Sequence, residues 1–316
     1  MSVDTKEKVV VETTEITEKT EPTKKAKKRR RRLGDRNDGR KLRTLPPMHR
    51  IMPYIMAKRS DAQNTFADSF DITKTDRFCR EKVKAGDKSF GFLHVLIAAY
   101  VRMLSQRPGI NRFISGQKVF ARNDIEIIMA VKKEMSIEGE ETMISVVFEP
   151  TDTVDDVYRK FDAAIAEAVN QKENPFDKLA KIINYIPGLL LRWTVKFLNF
   201  LDYFGLLPRF LTRLSPFHGS MIITSMGSLG IKPIYHHIYD FGNLPVFLAY
   251  GTKRTATTIE KDGSILRKRY VDLKAVTDER ICDGYYFASA FKILKRFVEN
   301  PELLTVAPEE VFEDID

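Results

Sequence analysis

The sequence predicts an α/β fold of the α+β kind, a mixed sheet with flanking helices. Two observations predict it. Segments of strand and helix periodicity occur without strict alternation, and hydrophobic residues make up 43% of the 316-residue chain, enough for a packed core. Residues 1–45 stand apart. They hold 15 Lys/Arg against 8 Asp/Glu, whereas residues 46–316 hold 37 against 35. The excess charge belongs to the tail, so the folded part is not expected to carry a basic groove, and nucleic acid is not an expected partner. With almost no large apolar residues, the tail is expected to be disordered. Eight of the nine residues from Lys24 to Arg32 are Lys or Arg. That run reads as a solvated tail or as a contact for anionic lipid or nucleic acid. No aromatic residue interleaves with it, so base stacking has no support.

The folded part is expected to begin near Leu45-Pro46-Pro47. Residues 90–106 form a strongly apolar helix, ended by Arg107-Pro108-Gly109. Strands are expected at 125–131, 143–148, 221–225, 246–251 and 268–277. Residues 153–169 predict an amphipathic helix with Val154, Val157, Phe161, Ile165 and Ala168 on one face; Thr153 and Asp156 form a capping box. A last helix at 285–299 puts Phe287, Phe291, Leu294 and Val298 in phase. Two cysteines, Cys79 and Cys282, are too few for a disulfide framework, and no Cys/His spacing suggests zinc. That usage fits a reducing compartment. No apolar signal segment opens the chain, and a cytoplasmic location is expected.

Residues 174–215 are unusual. The stretch 188–207 has the length of a membrane span, but Arg192, Lys196, Asn199 and Asp202 fall on one helical face. Leu190, Leu191, Trp193, Val195, Phe197, Leu198, Phe200 and Leu201 cover the rest. Charges in mid-span are costly in hydrocarbon. The segment reads as a helical insertion packed on its own core or on a partner subunit, as an interfacial helix at an anionic membrane surface, or, least well, as a true span.

Four stretches carry a resemblance. They are Met48-His49-Arg50-Ile51-Met52-Pro53-Tyr54-Ile55-Met56, Pro108-Gly109-Ile110-Asn111, Thr224-Ser225-Met226-Gly227-Ser228-Leu229-Gly230, and Asp278-Glu279-Arg280-Ile281-Cys282-Asp283-Gly284, the last followed by a helix and Glu299-Asn300-Pro301-Glu302-Leu303-Leu304. In this order they resemble the catalytic domain of the dihydrolipoamide acyltransferases of 2-oxo acid dehydrogenase complexes, and the wider chloramphenicol acetyltransferase-like superfamily. The resemblance covers about residues 46–305, with 174–215 as an insertion. It departs in one place: where the family's Asp-His-Arg-x-x-Asp-Gly motif has its general-base His, this chain has Glu279.

The resemblance implies a chloramphenicol acetyltransferase-like fold and a homotrimer with active sites between subunits. It implies acyl-CoA as substrate, while the sequence itself suggests neither a metal nor a lipoyl attachment. The motif position belongs to one subunit and an oxyanion-stabilising hydroxyl to its neighbour. That hydroxyl falls on Thr224, with Ser225 and Gly227 beside it in the substrate region; on its own residues Thr224 also reads as an ordinary strand-end threonine. Asp283 matches the motif's second Asp, with Arg50 or Arg280 as ion-pair partner, and it also reads as a helix N-cap. A carboxylate in water (about 4.3) is a weak base toward a thiol (about 8.5), and burial narrows that gap. The base is therefore either Glu279 or a relocated histidine. His236 and His237 lie in the loop after Gly230, where loop hydrogen bonding is the plainer reading. His218 precedes the Thr224 strand, His94 reads as a satisfied core histidine, and His49 has no assigned role. The N-terminal extension is too short and too charged for lipoyl or subunit-binding domains, so the core of a dehydrogenase complex is not expected. Three functions remain: a stand-alone acyl-CoA-dependent acyltransferase, a catalytically silent trimeric scaffold or regulator, and a protein working at a membrane surface.

Overall fold

The structure, a computed structural model, describes residues 30–132, 136, 139, 141–170, 181, 183–259 and 262–316. Most of the Lys24 to Arg32 run, and residues 174–180 and 182 of the expected insertion, lie outside the described residues. The order is β1 (Gly39–Lys41), α1 (Pro47–Ile55), β2 (Gln63–Asp71), α2 (Thr73–Ala85), α3 (Phe92–Gln106), β3 (Arg112–Ser115), β4 (Lys118–Arg122), β5 (Ile125–Lys132), β6 (Glu141–Phe148) and α4 (Val154–Asn170). Then come α5 (Gly188–Tyr203), α6 (Arg209–Leu214), β7 (Met221–Ser225), β8 (Val246–Ile259), β9 (Ile265–Asp278) and α7 (Gly284–Glu299). Six strands form one mixed sheet in the order β2-β9-β8-β7-β5-β6, parallel only at β8-β7 and β7-β5. A small antiparallel sheet, β1-β4-β3, sits beside it.

The strand pattern explains the layers. In β6, Thr142, Ile144, Val146 and Phe148 point inward while Glu141, Ser145 and Val147 point out, the alternation of a strand with one covered face. One sheet face packs under α2, α3, α4 and α7, where Ile127, Ile144, Met221, Ile223, Leu248 and Leu273 join the core. α3 runs through the middle of this core and is buried on nearly every side, with apolar residues dominating for that reason. The other face carries a smaller cluster of Ile128, Ile222, Phe247 and Val276 under Ile238 and Leu244 of the loop after β7.

The capping box of α4 is formed: Thr153 N donates to Asp156 Oδ2 at 3.0 Å and Asp156 N donates to Thr153 Oγ1 at 3.3 Å. Thr153→Ala is expected to lower stability by about 1 kcal/mol, measurable as a shift in the urea midpoint.

Two expectations need correction. The folded part starts before Leu45, because β1 pairs with β4 and Arg36 is buried. This charged stretch folds because its cations find partners, Asp38 and Asp202 on Arg36 and Asp316 on Arg32 and Arg40. Most of the segment 188–207 does not pack on its own core: only Asp202 and Leu207 of it are buried, while Leu189 is 76% and Trp193 67% exposed. Nor does Asp202 face outward with Arg192, Lys196 and Asn199. It turns inward to Arg36. No helix among the described residues is long and apolar enough to cross a membrane.

Candidate active site

The motif turn is built on a buried ion cluster. Asp278 closes β9 and is 1% exposed. Arg280 grips it with two bonds, Nε to Oδ1 at 2.8 Å and Nη2 to Oδ2 at 2.7 Å. Arg59 Nε adds a contact to Oδ2 at 3.4 Å. The spare donors tie down the surroundings: Arg280 Nη1 donates to Met56 O at 2.9 Å, and Arg59 donates to Tyr239 O at 2.6 Å and Gly242 O at 3.0 Å. Burial pulls the Arg59 guanidinium below its ordinary range, and the attraction of Asp278 opposes that. Two cations thus share one buried carboxylate, which locks the exit of α1 and the 239–242 loop against the end of β9.

Glu279 sits between the two gripped residues and points away from both. It is exposed and forms no hydrogen bond or ion pair among the described residues. Asp283 takes the N-cap position of α7, accepting from Tyr286 N at 2.8 Å. The expected ion pair of Asp283 with Arg50 or Arg280 does not form within the chain. Arg280 is held by Asp278, and Arg50 donates to the backbone oxygen of Arg43.

Thr224 lies near the end of β7, half-buried, on the face shared with Ile222. Its hydroxyl makes no hydrogen bond among the described residues. Ser225 is on the opposite face and caps the next turn: Ser225 Oγ accepts from Ser228 N at 3.3 Å. That turn presses against β8, where a Cβ on Gly227 would come within 2.6 Å of Gly251 O. Only glycine allows the approach that fixes the chain just beyond Thr224.

The histidines divide. His236 stacks on Phe247, with ring centroids 4.3 Å apart, and its buried Nε2 has no partner among the described residues. Burial, and then His237, lower its pKa and keep it neutral near pH 7. His237 is exposed, edge-on to Tyr239 at 5.0 Å. His94 is in the core as expected, but it is only half satisfied: Nδ1 accepts from Gly91 N at 3.0 Å while Nε2 is unpartnered.

His218 belongs to another site, with Asp202. Arg36 Nη2 lies 2.6 Å from Asp202 Oδ1, and His218 Nε2 lies 3.7 Å from it. Burial alone would raise the Asp202 carboxyl, but His218 and Arg36 outweigh it and hold the pKa at about 2. At 3.7 Å the imidazole is beyond hydrogen-bond reach, so Arg36 is the firmer partner. Since the folded-state pKa lies below the unfolded value, this group stabilises the fold above about pH 4, and the contribution fades as pH falls toward 2. Urea unfolding of wild type and Asp202→Asn should therefore differ by roughly 2 kcal/mol at pH 6 and converge as pH approaches 2.

The register separates the two main candidates. Thr224 pairs with Ala249, and Ala249 with Lys274. Glu279 lies five residues further along β9, about 16 Å at a strand rise of 3.3 Å. One chain does not bring Glu279 and Thr224 together. His236, stacked over Phe247, lies only two strand positions from the Thr224 row, about 7 Å. Sequence reasoning missed Arg59, which no motif marks, and assigned no role to Asp278 although it quoted that residue in the motif.

No family model matches the chain, and no curated protein matches it. Solved structures do. A probable dihydrolipoamide acetyltransferase from Listeria monocytogenes overlays with a TM-score of 0.54 at 16% identity, covering 83% of this chain and 95% of that one. The dihydrolipoamide acetyltransferase of Azotobacter vinelandii gives 0.50 at 15% identity, with 83% and 93% covered. A chloramphenicol acetyltransferase gives 0.46 at 12% identity, over 78% and 92%. The chain shares the mixed α/β fold of the two dihydrolipoamide acetyltransferase structures.

Proposed function

We propose that this protein is an acyl-CoA-dependent acyltransferase, working as a homotrimer with sites shared between copies. The observation that carries this reading is Glu279: a carboxylate with no partner among the described residues, exposed on a turn that the buried Asp278 cluster holds rigid. Glu279 of one copy takes the proton of a thiol, hydroxyl or amine acceptor. The acceptor atom attacks the thioester carbonyl, and a tetrahedral oxyanion forms. Thr224 Oγ1 of a neighbouring copy donates a hydrogen bond to that oxyanion. The C–S bond then breaks, and the coenzyme A sulfur leaves with the proton held by Glu279. Closure by a neighbour buries the carboxylate, which strengthens it as a base.

Coenzyme A release from a panel of acyl-CoA thioesters, followed with a thiol reagent, tests this. Thr224→Val is expected to cost about 3 kcal/mol of transition-state stabilisation, the scale of one lost oxyanion donor. Two other readings each have an observation behind them. His236 is neutral with an unpartnered buried Nε2, which suits a relocated base; if it serves, His236→Ala is severe and Glu279→Gln mild. A silent scaffold is favoured by the register, which keeps Glu279 and Thr224 about 16 Å apart along the strands of one chain; it predicts no coenzyme A release with any acceptor.

The protein is further proposed to associate with anionic membrane surfaces. On α5 and its C-cap Phe204, Leu189, Trp193, Phe197, Phe200 and Phe204 form one exposed apolar stripe flanked by Arg192 and Lys196. The Lys24 to Arg32 run adds electrostatic attraction of about 1 kcal/mol per basic residue near the surface.

A further inference from the structure

A cleft of about 400 Å³ opens between the small sheet and α1. Lys41, Arg43, Arg50 and Lys118 line it, together with Tyr54 and Gln117, and no acidic side chain does. The Lys41 and Lys118 ammonium groups have no partner among the described residues. Arg50 is bonded only to a backbone oxygen, and Arg43 alone is matched by a carboxylate, Asp35 at 2.9 Å. The next carboxylate, Asp316, is taken by Arg32 and Arg40. Asp316 also accepts from Arg43 N at 2.9 Å and Thr44 N at 2.7 Å, so it meets the cleft edge, and Lys41 and Lys118 carry the positive charge left unmatched among the described residues.

Its position matters as much as its charge. On one side, α1 presents Met48, Ile51 and Ile55, all exposed, beside the Arg50 and Tyr54 that line the cleft. On the other, Gln117 accepts from Tyr203 Oη at 2.9 Å, which ties the cleft rim to the end of α5 and its apolar stripe. The β3–β4 turn makes this joint close, since a Cβ on Gly116 would come within 2.3 Å of Tyr203 O. A basic cleft between two exposed apolar helix surfaces matches the layering of a bilayer surface, where phosphate lies just above acyl chains.

We propose that this cleft binds the phosphate of an anionic lipid headgroup while α1 and α5 rest in the interface beside it. The inference rests on the membrane association proposed above and is independent of acyl transfer. Co-sedimentation of the full chain with phosphatidylcholine vesicles, with and without phosphatidate, tests it. Lys41→Gln/Lys118→Gln should weaken binding to phosphatidate vesicles at least about tenfold. The charge-matched control Lys84→Gln/Lys88→Gln, at the end of α2 and beyond, should change it by less than about threefold. All four lysines are at least partly exposed, so the folds are not at risk, and far-UV circular dichroism checks this. Equal losses in the two pairs would overturn the cleft and leave membrane association standing. Failure of the wild type to bind any vesicle would instead overturn the membrane association on which the cleft depends, and Trp193→Ser/Phe197→Ser binding as well as wild type would overturn the placement of α5 in the interface. Release by inorganic phosphate matched to the lipid phosphate would assign the cleft to free phosphate and overturn the lipid source.

Discussion

Asp278→Ala should be the most destabilising single change at the motif, costing about 3–5 kcal/mol in urea unfolding, because it strands two buried guanidiniums. Arg280 and Arg59 are 4% and 5% exposed and would face each other with only backbone oxygens as partners. Asp278→Asn keeps the shape but not the charge, and should still lose much of that stability. The loss should reach the neighbours, since Met56, Tyr239 and Gly242 all hang on these arginines. A variant as stable as wild type would mean that the cluster does not hold the turn.

Glu279→Gln should behave in the opposite way. The side chain is exposed and unpartnered, so stability and assembly should stay within about 0.5 kcal/mol of wild type. Acyl transfer should fall about 100- to 10,000-fold, the range for losing a positioned general base. Saturation with acyl-CoA should be little changed, because glutamine keeps the shape and only proton transfer is lost. Adjacent residues thus separate two roles. On the proposed function, Asp278 supports the turn and Glu279 carries the proton transfer.

Much of this was legible in the sequence. The apolar helix of α3, the capping box of α4, the β7 strand and the four motif stretches were all marked by periodicity or by local residue chemistry. β2 and α2 were not. β2 has Phe66 and Phe70 as its only large apolar residues, because it is an edge strand with a single covered face, where Phe66 meets Phe291 at a centroid distance of 4.2 Å. α2 buries Thr75, Asp76 and Cys79, a small and partly polar set that gives little apolar period. The expected strands at 246–251 and 268–277 also stop short of the exposed ends of β8 (Val246–Ile259) and β9 (Ile265–Asp278), which bury little apolar surface.

The site was legible in type but not in arrangement. Glu279 and Thr224 could be picked by motif, yet only the strand register shows that one chain holds them apart. The Asp283 ion pair failed because Asp278, two residues from Arg280, competes for the same guanidinium at shorter reach. The inward turn of Asp202 could not be read from its helical face, since its partner Arg36 lies in a stretch whose charge suggested disorder.

Subunit mixing tests the shared site most directly. Glu279→Gln and Thr224→Val should each be nearly inactive alone. Mixed in equal amounts under conditions that allow subunit exchange, they form trimers in which a Thr224→Val chain supplies an intact Glu279 and a Glu279→Gln chain supplies an intact Thr224. Random assembly gives about one quarter of the sites an intact pair, so coenzyme A release should recover to about one quarter of wild type. A mixture that exchanges subunits yet stays as inactive as its parents, while the wild type is active, would contradict a site built from Glu279 of one copy and Thr224 of the next.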